Sequence, residues 1–195
     1  MRGCAGLCGW WAAVMMGHIN NLLIRMVEKH HGAEGVSRLF TLAGLTETRY
    51  QPEVVYSEAE FQALYKAAKA LYGVGDEAAQ KAFSDYFMEI SPAMFPAIFK
   101  FAGNARGLFE KVPTIHRQWP SAASAKDFRE KLSVLESTEA RLVFKYDSPN
   151  HLCGVLRFVA EGVLAHYRET GTVTETQCAL KGAPWCEIEV RFGEA

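Results

Sequence analysis

Three sets of side chains in this sequence have the types and spacing to do chemistry. Cys153, Cys178 and Cys186 crowd the last quarter of the chain, and three thiolates that converge make a soft metal site of the kind zinc takes. His116 stands by itself in "EKVPTIHRQW", three residues after Pro113, an isolated histidine that a plain half-buried side chain beside Ile115 and Trp119 would also explain. Tyr146 and Ser148, in "YDSPNHLC", place two hydroxyls at alternate positions where a strand gives way to a turn. Other chemistry is missing. No glycine-rich phosphate loop follows a strand, no serine sits in a nucleophile elbow, and no His-Glu-x-x-His helix occurs, so the chain is expected not to be an enzyme.

The elements that must position these groups follow from local signals. Ser57 with Glu60 reads as a capping box before "FQALYKAAKALYG", and Asp76 is expected to cap "EAAQKAFSDYFMEI". Pro92 is expected to start a further helix, "AMFPAIFKFAG". Asn104 caps "ARGLFEKVPTIHRQW", in which Pro113 costs a backbone hydrogen bond and bends the helix just before His116. After a Ser/Ala/Lys linker, "KLSVLES" and "ARLVFKYDS" form a hairpin, "HLCGVLRFVAEGVLAHYRE" a long helix, and "TVTETQCAL" and "WCEIEVRF" two strands joined by "KGAP". The fold class is therefore α+β: a helical N-terminal subdomain packed on a small antiparallel sheet that carries one C-terminal helix.

This layout puts Cys153 at the start of the last helix and Cys178 and Cys186 across a hairpin from each other. Glu175 is a candidate fourth ligand, but on a regular strand residues 175 and 178 face opposite sides, so a bulge is required. His151 or water are the alternatives, and a disulfide or plain burial of small side chains would equally account for the cysteines. With metal bound, the thiols would also sense redox state. The other histidines carry weaker signals: His30 and His31 complement a helix C-terminus, His18 opens helix one, and His166 ends the last helix.

Composition bounds the function. A chain of 195 residues, 49% hydrophobic and 22% charged, supports one domain, and a net charge of −1 gives no field for nucleic acid or an anionic membrane. Five cysteines, an odd number, point to a reducing, cytoplasmic setting. Residues 1–14, "MRGCAGLCGWWAAV", imitate a signal peptide but run without a cleavage site into an amphipathic helix. They read as an extension or misassigned start. The domain then spans 15–195, with a helical part at 15–120 and an α/β part at 130–193.

"NARGLFEKVPTIH", followed thirty residues after the histidine by "YDS" and then by a helix and two strands, resembles the haem nitric oxide/oxygen-binding (H-NOX) domain, with 4-vinyl reductase-type domains as relatives. The resemblance runs from about Met15 to Gly193. It implies a b-type haem with His116 as the axial iron ligand and Tyr146 and Ser148 on its propionates. The family clamp is Tyr-x-Ser-x-Arg; here Asn150 stands in the arginine's place, which removes a charge-assisted bond of about 1.5–3 kcal/mol. Arg157 and Arg141 are nearby candidates to replace it. The family's oxygen-binding members place a distal tyrosine where this chain has Val155, and helix one brings Ile19 and Leu23. An apolar distal face implies selectivity for nitric oxide, with carbon monoxide as a further ligand. The resemblance also implies signalling in trans to a partner such as a histidine kinase or a cyclic-dinucleotide enzyme. The alternative is a haem-free scaffold of the 4-vinyl reductase type, for ligand binding or zinc and thiol redox sensing.

Overall fold

The computed structural model describes residues 14–118, 131–148 and 152–193. Two apolar clusters organise them. The first is built by α1 (Gly17–Ala43), α2 (Glu58–Tyr72) and α3 (Asp76–Met94), with Leu22, Leu23, Val27, Leu39, Phe61 and Leu64 at its centre. A short antiparallel pair, β1 (Val14–Met16) with β2 (Val55–Ser57), ties the start of α1 to the start of α2. Gly32, at φ 64 and ψ −168, breaks α1 into two segments, a backbone state that side-chain-bearing residues avoid. The turn after it lets Val36, Leu39 and Phe40 fold back onto the same core.

The second cluster joins α4 (Pro96–Ala102) and α5 (Ala105–Gln118) to a four-stranded sheet, β3 (Leu132–Ser137), β4 (Arg141–Tyr146), β5 (Gly171–Gln177) and β6 (Cys186–Phe192). The strand order is β3-β4-β6-β5 and every pairing is antiparallel. The expected α+β architecture, both hairpins and the last helix, α6 (Cys153–Tyr167), are all present.

Helix α6 belongs to both clusters. Leu152 and Val155 pack on the helical core, while Ala160, Val163 and Leu164 pack on the sheet. Glycines let it approach α3 closely: a Cβ on Gly154 would overlap Gln80, and one on Gly162 would lie 2.7 Å from Met88 Cγ.

Several helix starts differ from the sequence expectation. Ser57 accepts from the Ala59 amide at 3.2 Å, but Glu60 does not return to it; its carboxylate takes the Tyr50 hydroxyl at 3.1 Å. Asp76 is the first helical residue rather than the cap, which is Gly75, because its carboxylate is drawn to Lys69. Pro92 lies inside α3 near its end, where one lost backbone bond is tolerated, and Pro96 opens α4 instead. Asn104 behaves as expected, its side-chain oxygen accepting from the Gly107 amide at 2.6 Å. Asn104→Ala should lower stability by about 1 kcal/mol in urea unfolding while Asn104→Asp should not, and an unchanged midpoint for alanine would show the cap to be idle.

Candidate functional site

Helix α5 is fastened to the sheet through its first turns. The Glu169 carboxylate takes the Ala105 amide at 2.8 Å. The Arg106 guanidinium donates to the Thr138 and Glu139 carbonyls in the β3–β4 turn and stacks 4.5 Å from the Phe192 ring. Phe109 meets Phe144 edge-on, centroids 5.5 Å apart. These contacts set a direction: α5 starts at the turn before β4 and passes Phe144 on its way up the strand. His116 is two turns beyond Phe109, about 10 Å along the helix axis. The Tyr146–Ser148 end of β4 lies about 7–13 Å beyond Phe144. The axis of α5 thus runs along the sheet in the direction of the β4 end that bears Tyr146 and Ser148. Pro113 is buried and the helix continues through it to Gln118.

Tyr146 sits opposite Leu132 on one side and Cys186 on the other. Its hydroxyl is buried and bonded to the Ser148 side chain and the Leu152 backbone; burial raises its pKa and these two bonds oppose the rise. Ser148 is buried beside it. Asn150 and His151 lie outside the described residues, as do residues 1–13.

Arg141 and Arg157 are engaged elsewhere. Arg141, at the far end of β4, pairs with Glu189 at 2.5 Å and Glu136 at 2.8 Å. Arg157 pairs with Glu77 at 3.1 Å and stacks on Phe158. Among the described residues, Lys131 has its backbone beside the hydroxyl pair: its carbonyl accepts the Asp147 amide at 2.9 Å and its ammonium is 3.9 Å from the Glu58 carboxylate. Sequence reading passed over both residues; the hairpin register, which sets 131 against 147, was the available signal.

Ile19, Leu23 and Val155 belong to or pack on the helical core. Leu23 is fully buried and borders a cavity of about 50 Å³ with Met26, Tyr65 and Tyr72. The Ser84 hydroxyl is spent on backbone carbonyls, Gln80 at 2.8 Å and Val155 at 3.2 Å. Asn20, one residue from Ile19, is fully buried with neither amide atom bonded among the described residues. A buried amide in that state suits a pocket wall better than a sealed core.

The cysteines do converge. Cys153 and Cys178 sulfurs are 3.9 Å apart, Cys178 and Cys186 4.0 Å, and the ligand atoms of these three and Glu175 all lie within 4.8 Å of one another. The register shift between Glu175 and Gln177 supplies the bulge that turns the carboxylate toward the thiols. Burial, then the neighbouring Glu175, pushes the Cys153 and Cys178 thiols up. Burial also works against Glu175, but hydrogen bonds from both thiols and from Lys181, at 3.2 Å, leave its carboxyl below the usual range. The Ala179 amide donates to the Cys186 sulfur at 3.2 Å.

The haem-NO-binding family model matches residues 16–175. The chain belongs to that family. Its members are haem-based gas sensors, and the elements just described are an H-NOX fold. The H-NOX protein of S. oneidensis in the Fe(II)NO state superposes with a TM-score of 0.74 at 16% identity, over 92% of this chain and 100% of that one. An oxygen-binding H-NOX domain related to soluble guanylate cyclases, in its oxygen complex, gives 0.74 at 16% over 92% and 96%. The unliganded Fe(II) H-NOX protein of K. algicida gives 0.70 at 15% over 93% and 98%. A search of curated proteins gave no match.

Tyr146→Phe should destabilise the haem-free protein by about 1–3 kcal/mol, because the Ser148 and Leu152 groups lose a buried partner. Urea unfolding at neutral pH checks this, and wild-type stability in the variant would mean that the hydroxyl is not held as described.

Proposed function

We propose that this chain is a non-enzymatic, cytoplasmic sensor of nitric oxide that holds a b-type haem through His116 and signals to a separate protein. What supports the reading is the family match together with the course of α5, which is fastened at the β3–β4 turn and at Phe144 and so runs along the sheet in the direction of the strand end where Tyr146 and Ser148 are buried together. The residues fit a haem: an imidazole for iron, paired hydroxyls for propionates, and an orphaned amide beside aliphatic side chains. Bound there, a ferrous haem supplies a coordination position for a diatomic gas.

The chain's own residues then decide selectivity. Ile19, Leu23 and Val155 offer no donor, and the Ser84 hydroxyl near Val155 is committed to two carbonyls. Oxygen gains from a distal hydrogen bond and nitric oxide does not need one, so this face favours nitric oxide, and carbon monoxide after it. Asn150 in the arginine's place weakens the propionate clamp. The fastening of α5 at Arg106 and Phe109, far from its last turn, lets strain at His116 be relieved by that turn while the N-terminal end stays on the sheet. A histidine kinase or a cyclic-dinucleotide enzyme is the class of partner that would read such a shift. Similarity to the haem-binding family favours this reading over a haem-free scaffold.

Reconstituted with haem, the protein should show a sharp ferrous Soret band that shifts with nitric oxide and is unchanged by air on the ligation timescale. His116→Gly should abolish the band until imidazole is added. A band indifferent to His116→Gly would remove the histidine from its role.

The sulfur cluster supports a second site on the same chain. Tetrahedral zinc with bonds of about 2.3 Å requires sulfur–sulfur edges of about 3.8 Å, close to the spacings found. We assign Cys153, Cys178 and Cys186 as ligands with Glu175 as the fourth, the cation reversing the protonation that burial imposes on the thiols. Metal analysis should find one zinc per chain, lost in Cys178→Ser and weakened in Glu175→Gln; a metal-free wild type after purification in zinc would refute it.

A further inference from the structure

A buried Lys–Glu pair is an unexpected feature at this strand end. Lys131 precedes β3, and its side chain and that of Glu58, the first residue of α2, are 15% and 8% exposed. Every other ion pair among the described residues keeps at least one partner more than a third exposed. Taking both charges out of water is costly, and the Glu58 carboxylate, 3.9 Å from the ammonium, offsets only part of that cost. Burial accordingly lowers the Lys131 pKa, with Glu58 only partly opposing it. A cation held this way is poised for a better anion.

Its position says which. The Lys131 carbonyl bonds the Asp147 amide, so its backbone lies beside the residue between Tyr146 and Ser148. Glu58 is near enough to act electrostatically on Tyr146. A lysine side chain from that point has the reach to meet a carboxylate held by the two hydroxyls. Arg141 and Arg157 are engaged elsewhere, with Glu136 and Glu189 and with Glu77 respectively.

We propose that Lys131 is the cation of this chain's carboxylate clamp, kept by Glu58 in the haem-free protein and passed to a haem propionate beside Tyr146 and Ser148. This rests on the haem reading above. The transfer breaks one ion pair and makes another, with no covalent change. Lysine meets a carboxylate as a point charge rather than as a flat fork, so it demands less exact placement than the family's arginine.

The test compares the affinity of the haem-free protein for haem with its affinity for haem dimethyl ester, which keeps the macrocycle and iron but has no carboxylates. Absorbance titration gives the ratio of the two. The double variant Glu58→Gln/Lys131→Met removes both charges together, which preserves a folded core better than either alone. Its haem-to-ester ratio should fall about tenfold or more, whereas Lys131→Arg should keep the wild-type ratio. Glu58→Gln alone, which removes the competing carboxylate, should raise the ratio. A ratio unchanged in the double variant, or unmoved by Glu58→Gln, overturns the role of Lys131 while leaving the haem reading intact. A wild type that binds neither haem nor its ester overturns both.

Discussion

A tyrosine hydroxyl buried between apolar clusters must find partners, and those that Tyr146 finds fix how the C-terminal half is assembled. Its strand pairs with β3 and β6, its hydroxyl takes Ser148 and the Leu152 backbone, and Leu152 stands directly before α6. The turn, the helix start and the sulfur cluster are thereby held to one another. That bond adds to the packing of α6 on both cores in holding Cys153 beside Cys178 and Cys186.

The same constraint explains why polar groups collect here. Beside the helical core and the sheet core, Glu58 pairs with Lys131 and acts electrostatically on Tyr146, which bonds Ser148. A cluster of this composition is poor at stabilising a fold by burial alone, since each polar group needs a partner in a medium that gives it little solvation.

Much of this was legible in the sequence where the signals were local. Asn104 announced α5, the alternation in "ARLVFKYDS" announced β4, and the cysteine spacing announced a cluster, down to the bulge that Glu175 required. Where two local signals competed, tertiary partners decided: Glu60 went to Tyr50 and Asp76 to Lys69, so one expected capping box was left half made and one expected cap was displaced. Pro92 reads as a helix start only if the preceding helix has already ended, and the packing of α3 on α6 carries it past that point. The short β1–β2 pair and the Glu58–Lys131 contact join residues far apart in the chain, and no periodicity records such meetings. Arg141 and Arg157 were the candidates because they match the missing residue in type; the hairpin register instead sets the Lys131 backbone beside Asp147.

Leu152, Cys153 and Val155 fall within about one turn at the front of α6, and each has a different attachment: the tyrosine, the sulfurs and the helical core. Mechanically that end of the helix is a three-way joint on a stiff rod, whose other end is embedded in the sheet. A joint of this kind cannot be displaced at one attachment without loading the other two, so a shift at the sulfurs and a shift beside Val155 would bear on the same rod.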